Sequence, residues 1–309
     1  MSEKKTVTKK EIIPIILMGF LFVLIQGLAI LIIGPFQAAG MEPAFENPDN
    51  PINIIYIFAI ILVFTVAILL IAKYWKKQLI QVIILGAIGY TTFYVLLYLS
   101  YLIFNSELAA FIISIILAIL LVFLLYKYPE WYVIDICGII IGTGAIAIFA
   151  ISLGVFLIVV LLICLAVYDA ISVYKTKHMI DLADTVMDLK LPVLLVIPKI
   201  RHYSLLKETK SLKEKLDEEQ EREAFFMGLG DIVMPGILVA AIYYSIVNGL
   251  LLAISAMIGT LFGFALLMTF VLKGKPQAGL PCLCGGAILG YLISSLLLYG
   301  EIVGLNLPF

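Results

Sequence analysis

Charge is scarce in this chain of 309 residues: Asp, Glu, Lys and Arg make up 13% of it, while hydrophobic residues supply 63%. A soluble domain is nearer one quarter charged and half apolar, so the composition points to a polytopic membrane protein. Histidine is almost absent. His178 and His202 are the only two, and both fall in the one long polar stretch, so no Ser or Cys inside an apolar segment has a histidine to serve it. No HExxH occurs. The 4 cysteines are Cys137, Cys164, Cys282 and Cys284. Cys282-Leu-Cys284 has neither zinc-finger nor redox spacing, and such thiols are read as small core residues. No structural metal, cofactor or nucleic-acid partner is expected. Nor is there an internal inverted repeat of the kind common in transporters.

What remains is a series of long apolar runs. Nine reach spanning length: Ile12–Ile33, Ile52–Ala72, Leu79–Phe104, Leu108–Tyr126, Val133–Ile151, Val155–Tyr174, Phe226–Val247, Leu250–Leu272 and Gly279–Tyr299. Only Ser152-Leu153-Gly154 separates the fifth from the sixth. The first follows Lys4, Lys5, Lys9 and Lys10 but is longer than a secretory h-region, so it is read as a retained helix. All 20 Lys and Arg residues then fall on one side of the alternation, whereas the opposite loops hold only acids such as Glu42, Asp49, Glu107 and Glu301. The positive-inside rule makes the lysine-bearing side cytoplasmic. The expected fold is all-α: a polytopic membrane protein with nine transmembrane helices, N-terminus cytoplasmic and C-terminus outside, in the cell membrane.

These runs divide the chain into helices 1–6 (residues 1–174), a cytoplasmic loop (175–225) and helices 7–9 (226–309), within one integrated membrane domain. In the loop, Leu191–Ile197 is apolar, bracketed by Lys190 and Lys199, but too short to span and broken by Pro192 and Pro198. It is expected at the interface or packed on the bundle. Lys207–Glu223 mixes both charges as a solvated linker does. Gln26, Asn53, Thr65, Thr91, Ser114 and Asn248 are assigned to helix–helix hydrogen bonding.

Two acids break otherwise apolar runs, Asp169 in Leu165–Tyr174 and Asp231 in Phe225–Pro235. A carboxylate in hydrocarbon costs roughly 2.5–3.5 kcal/mol on insertion scales, so an intramembrane acid is a functional candidate by default. A third, Asp135, lies close behind Lys127 and Glu130 and is read as interfacial and structural. Counted at about 1.5 Å per helical residue from Lys175 and Arg222, Asp169 and Asp231 reach similar depths and can face one another. Two carboxylates sharing one proton can activate a water and polarise a carbonyl, which is what peptide hydrolysis needs. Gly228 and Gly230 strip side-chain bulk ahead of Asp231, where a substrate backbone must approach. Pro276, Gly279 and Pro281 discourage helix in Gln277–Pro281, leaving backbone free to hold an extended substrate.

Tyr168-Asp169, Gly228-Leu229-Gly230-Asp231 and Leu280-Pro281, spread over nearly the whole chain, resemble the presenilin and signal-peptide-peptidase family of intramembrane aspartyl proteases. Tyr128–Ile136 (YPEWYVIDI) and Tyr168–Met179 (YDAISVYKTKHM) look most like its archaeal presenilin homologues. The resemblance implies an intramembrane aspartic endopeptidase of the Gly-x-Gly-Asp type. Asp169 and Asp231 would be catalytic, and Tyr168, Gly228, Gly230, Ala278, Gly279, Leu280 and Pro281 would position substrate. One departure is plain: the family's Pro-Ala-Leu aligns with Ala278-Gly279-Leu280, so its first proline is missing, and Pro281 follows directly. The expected partners are single-span transmembrane substrates and the lipid bilayer. Self-association is compatible with the sequence, and accessory subunits are not evident. The competing expectation is a transporter or cation leak channel that uses the two aspartates as an ion or proton relay.

Overall fold

A computed structural model describes residues 9–74, 77–176, 194–200, 203–204, 223–272 and 277–305. The helices are α1 (Lys9–Ala38), α2 (Ile52–Tyr74), α3 (Lys77–Phe104), α4 (Glu107–Lys127), α5 (Trp131–Ser152), α6 (Val155–Ile171), α7 (Leu229–Ser245), α8 (Leu250–Val271) and α9 (Gly279–Tyr299). A π-helical turn, Ser172–Thr176, extends α6, and two short strands, β1 (Leu194–Pro198) and β2 (Ala224–Gly228), lie between it and α7. The chain is therefore mostly helical. Among the described residues, 7 helices are long and apolar enough to cross a membrane.

Helix ends follow local chemistry. Ser106 caps α4 by accepting the Ala109 amide, and Gly300 closes α9 in the left-handed conformation that glycine adopts freely. Ser152-Leu153-Gly154 does separate α5 from α6. A Cβ on Gly154 would run into Asp49, so the loop before α2 closes over that corner. The helix α7 sits at the centre. Ile237 to Ile242 are all buried, and a helix apolar on every side is one surrounded by others. It packs on α1, α5, α8 and α9. In contrast, among the described residues α2 touches only α3 with any extent and exposes Ile60 to Phe64, a lipid-facing pattern.

The tightest pair is α8 with α9. A Cβ on Gly259 would collide with the backbone of Gly286, one on Gly263 with Cys282, and one on Gly290 with Ser255. With no hydrophobic drive between helices in lipid, small residues that let backbones touch supply the association. Gly263→Leu should therefore destabilise the protein by about 2–3 kcal/mol, as overpacking does elsewhere. Thermal unfolding in detergent, with Gly285→Leu as the control because Gly285 has open space, measures this.

The strands correct the sequence reading, which began the seventh helix at Phe226. β1 and β2 pair antiparallel with Leu194 opposite Gly228 and Pro198 opposite Ala224. The Lys199 amide donates to the Glu223 carbonyl at 2.8 Å, continuing that register as a hydrogen-bonded pair. Such pairs alternate along an antiparallel ladder. Hence Leu195–Met227 and Ile197–Phe225 bond across the ladder, while the amides of Leu194, Val196, Ala224, Phe226 and Gly228 point away from it. The apolar loop segment does pack on the bundle, against α5 and α1, as a strand. Of the charged loop segment expected over Lys207–Glu223, residues 207–222 lie outside the described residues.

Candidate active site

Asp169 lies in the last turn of α6, shortly before the π-helical turn that begins at Ser172, a local defect that recurs at functional sites. It is 6% exposed. Its carboxylate Oδ2 accepts the Leu280 amide at 3.1 Å, and the Gly279 amide also hydrogen-bonds it. These are first-turn amides of α9, which have no partner within their own helix. A side chain on α6 thus caps α9. The segment 279–281 is helical rather than extended, contrary to the sequence expectation. Pro281 falls in the first turn, where the amide it lacks is not needed. Ala278, buried at 2% exposure, is the last extended residue, at ψ 125°.

Asp231 occupies the first turn of α7, not a position nine helical residues deep, because the residues leading to it form β2. The estimate of its depth from helical rise fails for that reason. Gly228 ends β2 and caps α7, and a methyl placed on it would lie 3.4 Å from Asp231 Oδ2. A methyl on Gly279 would sit 3.0 Å from Oδ2 and 3.2 Å from Oδ1 of the same carboxylate. Gly279 therefore borders both aspartates while Leu280 bonds Asp169, and the two carboxylates are near enough to interact electrostatically. Among the described residues nothing lies within 4 Å of a methyl on Gly230, an exposed position. Tyr168, the neighbour of Asp169 on α6, is 66% exposed.

Some neighbours were not legible beforehand. Cys284, buried on α9, lies within electrostatic reach of both aspartates. The Tyr174 hydroxyl donates to Gln277 Oε1 at 2.7 Å, linking the π-helical turn to the chain entering α9. Asp135 is buried in α5, and its Oδ1 accepts the Val196 amide at 2.8 Å. The sequence marks this residue as interfacial and structural; it is enclosed by protein and bonded to the strand β1. The Gln26 amide, expected to bond a neighbouring helix, is buried without a partner among the described residues. No group of three or more His, Cys, Asp or Glu side chains converges among the described residues. The chemistry available here is that of two carboxylates and backbone amides.

A helical bundle that crosses a membrane and brings two acids together at the start of a central helix defines an intramembrane hydrolase of the carboxylate-pair class. Comparison with known proteins narrows this. The family model for signal-peptide peptidase, presenilin aspartyl protease, matches residues 19–299. Two solved structures of a presenilin family intramembrane aspartate protease, in space groups C222 and P2, superpose with TM-scores of 0.70 and 0.68. Each is 36% identical to this chain and covers 92% of it, and the matches span 99% and 98% of those chains. No curated protein matches. The chain belongs to the presenilin and signal-peptide-peptidase family of aspartyl proteases. It is a multi-pass integral membrane protein and an intramembrane aspartic endopeptidase that acts on transmembrane substrates in the bilayer. Nothing in these matches supports a transporter or leak channel.

Proposed function

We propose that Asp169 and Asp231 are the catalytic pair, acting together on one water. The observation that carries this is their meeting at Gly279 and Leu280, from helices α6 and α7 that are remote in sequence. One carboxylate takes a proton from the water as it adds to the scissile carbonyl. The other, protonated, donates a hydrogen bond to the carbonyl oxygen. Collapse of the tetrahedral adduct then passes a proton to the departing amine. The Gly279 and Leu280 amides hold Asp169 in place, and Gly228, Gly230, Ala278 and Pro281 shape the approach. Tyr168 lines the exposed flank.

Substrate is the unwound part of a single transmembrane span, laid along β2. The outward amides of Phe226 and Gly228, both only partly buried, leave an edge uncovered among the described residues, whereas Ala224 is buried, and strand addition is a recurrent way to hold an extended peptide. Because β2 runs into α7, a strand on that edge arrives at Asp231. Phe226→Pro removes one outward donor and leaves the β1–β2 ladder bonds intact. It should lower cleavage of a model transmembrane substrate about tenfold or more, and an unchanged rate rejects strand addition. Helical peptide bonds are shielded by their own hydrogen bonds, so substrate must unwind first. Of two matched substrates, the one with glycines near the cut should be cleaved several-fold faster than a Leu-rich one, since glycine lowers helix stability by about 1 kcal/mol per residue. Equal rates would argue that unwinding is not limiting.

The same reading places all nine helices across the membrane as one integrated domain, with the N-terminus cytoplasmic, the C-terminus outside and the loop 175–225 cytoplasmic. The one-sided distribution of Lys and Arg supports this, and the cell membrane is the site of action. Self-association is not required, since both aspartates come from one chain. Peptide products from a model span in liposomes, with Asp231→Ala as control, test the reading as a whole.

A further inference from the structure

Asp135 has no part in the proposed chemistry, yet it is a carboxyl group buried in an apolar bundle at 8% exposure. Such a group is costly unless hydrogen-bonded. Among the described residues the Val196 amide is its donor, at 2.8 Å. Val196 is one of the residues whose amides point away from β2, so Asp135 sits on the outer edge of β1. The next outward residue on that edge, Pro198, has no amide hydrogen at all. A buried acid and a proline on one strand edge are both devices that stop another strand from pairing there. The edge of β2 carries neither. The segment after β1 is tied to the same helix end, where the Ser204 hydroxyl donates to Glu130 Oε1 at 2.6 Å.

We propose that Asp135 is a positioning residue for the protease: by clamping the Val196 amide it closes the outer edge of β1 and fixes the sheet to α5. It thereby makes β2 the docking edge and sets the register in which substrate meets the aspartates. This rests on the strand-addition reading above. A two-stranded ribbon is marginal by itself, so something outside it must hold it in place. A slip of two residues keeps the same side chains facing the same way but moves the substrate by about 7 Å. Loss of the clamp therefore spreads cleavage to bonds two residues to either side of the main site.

The test uses the full chain in liposomes with a single-span model substrate, mass spectrometry of the products, and separate kcat and KM. Asp135→Leu removes the acceptor. Asp135→Glu keeps the carboxyl group but displaces it, which guards against a variant that simply fails to fold. Both should raise the products cut two residues away from traces to a quarter or more of the total, with KM raised about fivefold. Asp135→Asn keeps an oxygen acceptor for the Val196 amide and should restore the single main cut. An unchanged product pattern in both Asp135→Leu and Asp135→Glu overturns the proposal. So does a fall in total rate without any change in cut positions or KM, which would mean that Asp135 only stabilises the fold. Phe226→Pro separates the two readings. If it leaves cleavage intact, strand addition itself is wrong. If it impairs cleavage while the Asp135 variants cut normally, only the role of Asp135 falls.

Discussion

Asp169→Asn should lower cleavage of a transmembrane substrate by about 10³-fold or more, and Asp231→Asn should do the same. Neither half of a shared-proton pair is active alone, so the double variant should be no worse than either single one, as for residues that act as a unit. Asparagine preserves shape, and its amide oxygen at position 169 can still accept the Leu280 amide, so the fold should survive. Removing an acid from the interior can even raise stability. The measurement is product formation in liposomes, with thermal unfolding on the same preparations. Retention of more than a few per cent of activity by either folded variant would reject the pair. The wild-type rate should be bell-shaped in pH, because activity needs one proton on the two groups together. A rate flat from about pH 4 to 9, with chemistry limiting, would argue against two carboxylates.

The second large effect is expected at Gly279. A methyl there sits 3.0–3.2 Å from the atoms of the Asp231 carboxyl group, a contact that a small shift of the side chain relieves. The family's motif has alanine at the aligned position. Gly279→Ala should therefore cost no more than a few-fold in kcat. A β-branched side chain cannot be accommodated so cheaply, because its second and third methyl-sized groups reach the space between the two aspartates. Gly279→Val should lower kcat about 10²-fold, the order of loss that about 1 Å of misplacement brings, while the protein still folds. Pro281→Ala, two residues on, restores an amide to a turn where none is needed and should have little effect. Comparable losses for Gly279→Ala and Gly279→Val would mean that steric displacement of Asp231 is not the cause.

The helices were legible because nothing competes with hydropathy in a membrane: Gly279–Tyr299 was bounded correctly from the apolar run alone, and the α5–α6 break fell at Ser152-Leu153-Gly154. The two aspartates were legible for the same reason, as isolated charges in apolar runs. What escaped was short and extended. The residues Ala224–Gly228 read as the start of a helix, since a five-residue apolar strand and a buried turn of helix share one hydropathy signal. Pro192 ahead of β1 and Pro198 at its end were the cue available. The pairing of Asp135 with Val196 joins residues 61 positions apart, and a single sequence has no pattern for that. The capping of α9 by Asp169 is likewise a long-range contact. Proline and glycine there were read as helix breakers, when they are equally the residues that begin a helix.

The glycine-lined contact of α8 with α9 has a mechanical consequence. Where backbone rests on backbone there are no rotamers to exchange, so that joint is stiff. The seam between α6 and α9 is closed instead by side chains and by hydrogen bonds such as Tyr174 to Gln277, and α6 finishes in a loosened turn. Compliance in this protease is therefore unequal. The wall carrying α9 should then act as the fixed reference, and any displacement that admits a substrate span is expected on the side of α6, whose Asp169 bonds the first amides of α9.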